Sequence, residues 1–218
     1  MVEHRLPPGA RLTEEQLGAI FGASRTTVRS ALQALAHDQI VTLTPHRSAF
    51  VAAPGVETAR DIFDARKLVE QAVVRDVAGG IEEDRIAALR TLLAEEQAAL
   101  ARGDRGAAIR LSGAFHIAIA ATRGDGALTA FLRSLISQSS LVIALYGRRQ
   151  APACRHHEHV SLLDALAGRD ADRAAALMAD HLDHILGDLD LIPPESATVD
   201  LAFALRVSRE PQPETDPG

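Results

Sequence analysis

The spacing of hydrophobic residues changes after Val51. Before that point the apolar positions form short helical stripes and then runs rich in β-branched residues. From Glu57 to Leu189 they recur at the three- and four-residue spacing of an α-helix. The pattern predicts a small N-terminal unit (the head, residues 1–53), an all-helical unit (the body, residues 58–190) and a tail (residues 191–218).

Two apolar stripes in the head predict a pair of short helices. Their members are Leu17, Ile20 and Phe21, then Val28, Leu32 and Leu35. Ser24 is well placed to cap the second helix, because its hydroxyl can accept a hydrogen bond from a free N–H group of the first turn. Gly22 and Ala23 separate the two helices, which is the arrangement of a helix-turn-helix.

The end of the head has β character. Residues 40–44 and 49–51 read as strands, and residues 45–48 between them favour a turn. A hairpin behind a helix-turn-helix makes a winged helix. The outward face of the second helix and the tip of the wing offer the donors that meet phosphates and base edges. The predicted DNA contacts are Ser24, Arg25, Thr26, Arg29, His46 and Arg47.

Six helices are predicted in the body, each bounded by glycine, proline or a capping residue. They span about residues 57–78, 82–102, 104–123, 128–146, 155–167 and 170–189. Short connections place consecutive helices antiparallel to one another. The predicted fold is therefore mainly α, with an N-terminal winged helix-turn-helix and a C-terminal antiparallel helical bundle.

Composition and charge refine this picture. The chain is 47% hydrophobic but only 3% aromatic, so the core must be built from Ala, Leu, Ile and Val. The net charge of −6 divides into +1 for residues 1–53 and −7 for the remainder. An acidic protein attracts phosphates poorly, so DNA binding would depend on the placement of arginines and on two heads acting together.

The expected compartment is the cytoplasm. The single cysteine, Cys154, allows no internal disulfide. No apolar run approaches the length of a membrane span, and no signal peptide is recognised, so no membrane partner is expected. The tail is acidic and contains prolines, and we expect it to be loose except for a short apolar turn at residues 201–207.

Three of the nine histidines lie within otherwise apolar helices: His116, His159 and His181. Neutral imidazoles from three helices suit a divalent first-row metal, with zinc the expected ion. The alternative for each is a core histidine that bonds a carbonyl group. His156 and His157 begin a helix and are expected to be solvated, whereas His184, one turn beyond His181, is a spare ligand.

The head resembles the winged helix of the GntR superfamily of bacterial transcription regulators. The resemblance rests on residues 8–14, Leu17 and residues 24–35. It implies that the helix opened by Ser24 and Arg25 enters the major groove of an operator. Three departures stand out: the first helix of that fold is expected to be missing, Gln39 stands where glycine is usual, and Ser48 replaces a glycine of the wing.

The body resembles the FCD domain of the FadR-type branch of that superfamily, through residues 63–70, 115–119, 158–166 and 170–182. The resemblance implies a metal held by the three histidines and an aspartate, with a small carboxylate effector beside it. It also implies that Arg66 faces the effector. The aspartate position is Ser112 here, so the site is expected either to hold zinc with three histidines and water or to bind an anionic effector directly. Arg66 and Glu70 stand at i and i+4, and the alternative for them is a surface pair.

Together these observations predict a repressor that pairs through its body and binds a palindromic operator as a homodimer. A small organic acid would shift the population of its DNA-competent state. Two alternatives remain open. One is a metal-dependent enzyme built on the three histidines, and the other is a ligand-binding dimer whose head does not bind DNA.

Overall fold

The computed structural model describes residues 6–44, 48–147 and 155–192 together with Leu201 and Leu205. These residues form three strands and eight helices. The predicted wing-tip residues His46 and Arg47, as well as Cys154 and most of the tail, lie outside the described residues.

The head is a helix-turn-helix followed by a hairpin. Helix α1 (Glu14–Phe21) and helix α2 (Arg25–His37) are joined at Gly22, whose φ of 63° lies in the left-handed region that favours glycine. The hydroxyl of Ser24 accepts a hydrogen bond from the N–H group of Thr27 at 3.1 Å and caps α2, as predicted.

Three short strands complete the head. Strand β1 (Arg11–Thr13), strand β2 (Val41–Thr44) and strand β3 (Ser48–Val51) form an antiparallel sheet in the order β1-β3-β2. Strands β2 and β3 were predicted, whereas β1 was not. Gln39, at the position where glycine is usual in related heads, has a φ of 59° and so carries the strain of a left-handed residue.

The core of the head includes residues from outside its own elements. Leu6, Leu141 and Leu201 are each at most 4% exposed and belong to the same apolar cluster as Val28 and Leu32. The expectation that Phe21 helps to form the first apolar stripe was wrong, because its side chain is 55% exposed. The cluster is thus closed by the body and the tail rather than by the head alone.

The body consists of six helices, as predicted: α3 (Val56–Ala78), α4 (Glu83–Ala101), α5 (Arg105–Ala121), α6 (Ala127–Tyr146), α7 (His156–Ala167) and α8 (Ala171–Gly187). Helix α3 is central and packs against α5, α6, α7 and α8. Its buried face is made largely of alanine, valine and isoleucine, which permits close packing of neighbouring helices.

Helix α6 is apolar enough and long enough to span a membrane, and it is the one such helix in the described part of the chain. Its buried residues, including Leu132, Ile136 and Val142, belong to the core of the body. Leu141 on the same helix joins the core of the head. Helix α6 therefore serves as a core helix that contacts both units.

Candidate metal centre and nucleic-acid interface

Helices α5, α7 and α8 each bring one buried histidine to a common point. His116, His159 and His181 (the histidine trio) are 2%, 0% and 2% exposed. The Nε2 atom of His159 lies 3.2 Å from the Nε2 atoms of both His116 and His181. Each of the three histidines can offer one ligand atom to a metal ion, and these atoms all lie within 4.8 Å of one another.

A carboxylate contacts the Nδ1 atom of every histidine in the trio. Glu70 on α3 lies 2.5 Å from Nδ1 of His116, Glu96 on α4 lies 3.1 Å from Nδ1 of His159, and Glu158 on α7 lies 2.8 Å from Nδ1 of His181. An ionised carboxylate can only accept a hydrogen bond, so each Nδ1 carries the proton. The Nε2 lone pairs of neutral rings then converge, which is the tautomer that metal-binding histidines adopt.

Burial and charge favour this protonation pattern. Burial lowers the pKa of His116, and burial lowers the pKa of His181 to about 3. Burial opposes ionisation of Glu70, but Arg66 and His116 together lower its pKa to about 2. Both rings are therefore neutral near neutral pH, and Glu70 is an anion that can accept the His116 proton.

The spacing of the trio fits a small cation. With bonds of 2.0–2.1 Å in a tetrahedral arrangement, two nitrogen ligands of zinc lie about 3.3 Å apart. The two Nε2 separations of 3.2 Å are close to that value. Two deprotonated nitrogens at this distance repel each other unless a cation or a hydrogen-bond donor lies between them. The residues present therefore fit a divalent metal.

The two predicted effector-binding residues are placed differently from each other. Arg66 is buried, donating from Nε to Glu70 at 2.7 Å and from Nη1 to Ser139 at 3.0 Å. The expectation of a surface pair between Arg66 and Glu70 was wrong, because the two residues are only 3% and 1% exposed. Ser112 is half-buried on α5, one turn before His116.

Polar residues extend the site toward the surface. Glu158 also accepts a hydrogen bond from Nδ1 of His184 at 2.8 Å. Burial opposes ionisation of Glu158, but His181 and His184 lower its pKa to about 2. Nδ1 of His156 lies 2.7 Å from Glu96 and its side chain is 19% exposed, so the expectation of a solvated His156 was wrong. His157 is 79% exposed, as expected.

The predicted DNA-contacting residues of α2 lie together on one exposed face. Ser24, Arg25, Thr26 and Arg29 are all exposed at or near the start of the helix. Arg29 makes a two-fold contact with Glu14 of α1, at 2.8 and 3.0 Å. This pair raises the pKa of Arg29 through the hydrogen bond and charge of Glu14. Glu14 and Arg29 line a surface groove together with Leu43 and Thr44 of β2.

The three carboxylates around the trio were missed by sequence reasoning. For Glu70 the sequence suggests only a surface pair with Arg66 as an alternative, and it does not suggest Glu96 or Glu158 as a partner of a histidine. A signal was present for two of them. Glu96 interrupts the apolar stripe of α4, and Glu158 directly precedes His159 in the sequence.

Sequence models of two protein families match this chain. The model of the FCD domain matches residues 61–184, and the model described as "Bacterial regulatory proteins, gntR family" matches residues 1–51. The chain belongs to the GntR family and carries an FCD domain. It is accordingly a DNA-binding transcription regulator, and the family resemblances stated from the sequence are confirmed.

Named relatives agree with this assignment. The Nta operon transcriptional regulator of Aminobacter aminovorans is 27% identical, over 83% of this chain and 85% of its own length. The HTH-type transcriptional repressor RspR of Escherichia coli K12 is 24% identical, over 88% and 85%. The solved structure of E. coli McbR/YncC superposes with a TM-score of 0.75 at 22% identity, covering 85% of this chain and 92% of that one. At that identity the superposition shows the fold alone.

Proposed function

We propose that this GntR regulator is a cytoplasmic, homodimeric repressor whose DNA affinity is controlled by a small carboxylate effector at a divalent metal. In this proposal residues 1–53 bind the operator, residues 58–190 bind the effector and pair with a second copy, and residues 191–218 form an acidic, proline-containing tail. Repression is supported by the relative that is named as a repressor.

The observation that carries the proposal is the histidine trio and its carboxylates. His116, His159 and His181 would hold the metal through Nε2, with zinc the expected ion, while Glu70, Glu96 and Glu158 orient the rings. When bound, the cation would supply positive charge and an open coordination position for a carboxylate. This division of roles compensates for Ser112, because negative charge lies next to the ligands instead of among them.

Operator binding is assigned to α2 and the wing. Arg25 and Arg29 would contact bases or phosphates, Ser24 and Thr26 would add hydroxyl contacts at the start of the helix, and His46 and Arg47 would contact the backbone at the wing. The head has a closed apolar core that includes Leu6 and Leu201. This core favours a head that can bind DNA over one that has lost this ability.

Elemental mass spectrometry of untagged protein tests the metal site. We expect about one zinc, nickel or manganese per chain, as the trio forms one site. His159→Ala should remove the metal, because it deletes the ligand that lies between the other two. His157→Ala is the matched control, since His157 is exposed next to the same helix start, and it should retain the metal.

The effector assignment is tested by adding small carboxylates to the metal-loaded protein and measuring DNA binding in a randomised duplex pool. We expect salt-sensitive binding that a chelating carboxylate weakens. Protein that contains no metal, and takes up none on dialysis, would contradict the metal site. It would favour instead a direct anion pocket centred on Arg66.

A further inference from the structure

We propose that Arg66 and Ser139 transmit occupancy of the histidine trio to the DNA-binding head, by way of helix α6. The inference rests on the proposed function, because it assigns the route by which a metal in the body would affect the head. The route consists of three polar contacts between buried side chains and one apolar contact. The contact between Arg66 and Glu70 lies within α3. The other contacts connect different helices or connect the body to the head.

The polar part of the route begins at the metal site. Nδ1 of His116 contacts Oε2 of Glu70, and the other carboxylate oxygen of Glu70 accepts a hydrogen bond from Nε of Arg66 at 2.7 Å. The opposite side of the same guanidinium donates from Nη1 to Oγ of Ser139 at 3.0 Å. Glu70 and Arg66 thus connect a ring on α5 to the hydroxyl group of Ser139 on α6.

The apolar part of the route begins two residues further along α6. Ser139 donates from Oγ to the carbonyl oxygen of Ile136 and is therefore fixed to its own helix. Leu141 is 1% exposed and belongs to the apolar cluster that forms the core of the head. A displacement of α6 at Ser139 would also displace Leu141, because both residues lie on the same helical turn.

The junction between the head and the body has room for such a displacement. A cavity of about 410 Å³ lies there, lined by Gln39 and Leu43 of the head, Ile62 of α3 and Gln138 and Leu141 of α6. The two body helices that line the cavity are the same two that Arg66 joins. Because Leu141 also belongs to the core of the head, a small shift of α6 against α3 would change how the head packs on the body.

Burial explains why the contacts would move together. Arg66 and Glu70 are at most 3% exposed, so neither can exchange its partner for water when the other shifts. Leaving a buried charge without its partner is costly. Fixing His116 on a metal would fix Glu70, then the guanidinium, and then Ser139.

Hydrogen–deuterium exchange with zinc as the probe tests the proposal without an operator. In the full-length wild-type protein at saturating zinc, peptides from α5, α7 and α8 should exchange more slowly. Peptides covering residues 28–43 of the head should also slow, by about fivefold or more. In Ser139→Ala we expect the protection of the body to remain and the protection of the head to be lost.

Two comparisons make the result specific to the hydroxyl of Ser139. Ser137→Ala removes a hydroxyl on α6 that bonds only the carbonyl oxygen of Arg133 among the described contacts, and it should behave as wild type. Ser139→Thr keeps the hydroxyl and should retain protection of the head. Ser139→Val, in which valine has the shape of threonine but no hydroxyl, should lose that protection. This pair decides the question even if the alanine variant is poorly folded.

Each failure has a distinct signature. If zinc protects neither the body nor the head, the metal site is wrong and the inference fails with it. If zinc protects the body but not the head of the wild type, the metal site stands and transmission to the head is wrong. If Ser139→Val transmits as well as Ser139→Thr, transmission exists but does not pass through this hydroxyl.

Discussion

The role of Glu70 as a hydrogen-bond partner of His116 depends on its burial in the body. On an exposed helix an arginine and a glutamate at i and i+4 form a weak pair. Here both are buried, and the second oxygen of Glu70 accepts the Nδ1 proton of His116. Hydrogen bonding of this kind fixes the ring orientation and increases the basicity of the ligating nitrogen.

We expect Glu70→Gln to weaken metal binding by about 10- to 100-fold, the usual cost of losing such a partner. The amide keeps the shape of the side chain but removes the charge, and its NH₂ group can present a donor to Nδ1. Affinity is measured by competition against a chromophoric zinc chelator. Glu95→Gln is the matched control, because Glu95 is exposed on α4 beside the buried Glu96.

An unchanged zinc affinity in Glu70→Gln would show that Glu70 does not act on the metal through His116. The same variant also loses the charge that faces Arg66, so its folding should be checked by circular dichroism before the titration. A variant that is folded but binds zinc as tightly as Glu95→Gln does would contradict this role.

At the scale of residues, the sequence indicated the three histidines that converge but did not indicate their carboxylate partners. His116, His159 and His181 are polar residues in apolar helices, and that contrast is visible in a linear pattern. Their carboxylate partners come from α3, α4 and α7, and which of many glutamates meets which ring depends on how the helices pack. Sequence periodicity carries no information on that pairing.

Two leucines of the tail pack against the head. Leu201 is 4% exposed within the apolar cluster of the head, and Leu205 is partly buried against it. The N–H group of Leu205 donates a hydrogen bond to the carbonyl oxygen of Leu201 at 2.9 Å. These two residues of the tail therefore cover apolar surface on the head.

Leu201→Ala should lower the free energy of unfolding by about 2 kcal/mol, at the lower end of the usual cost for a buried leucine. The loss is read from urea denaturation followed by circular dichroism. Ile192→Ala is the control, because its side chain is 70% exposed, and it should change stability by less than about 0.5 kcal/mol. Equal stability of the two variants would mean that Leu201 contributes nothing to the stability of the head.

At the scale of elements, long helices were predicted more accurately from the sequence than short strands. Each of the six body helices repeats its apolar stripe over several turns, and each was predicted to within a few residues. Strand β1 has only three residues, too few for an alternating pattern, and it exists because residues 48–50 of β3 pair with it. Such a strand is a product of tertiary structure and not of local sequence.

At the scale of the whole molecule, helix α6 exposes apolar side chains to solvent in a single copy of the chain. Phe131 is 52% exposed and Leu128 is 39% exposed, one turn apart near the start of the helix. The opposite face of α6 lies in the core. In the proposed homodimer, we infer that this exposed face forms part of the contact between the two bodies, which would hold two heads in a fixed relation on a palindromic operator.

Phe131→Asp should therefore convert the proposed dimer into monomers, because it would bury an unpaired charge in the interface. A cost of about 3 kcal/mol corresponds to more than a hundredfold rise in the dissociation constant of the dimer. Light scattering across a dilution series measures that constant. The variant should also bind operator weakly and with a reduced salt dependence, because each isolated head, with its net charge of +1, neutralises fewer phosphates than a pair does.

Val160→Asp is the control, because Val160 is also an exposed apolar residue (40%) but lies on a different helix, α7. If that control dissociates and Phe131→Asp remains dimeric, the two bodies meet through α7 instead. The heads would then have a different spacing, and the half-sites of the operator would be separated accordingly.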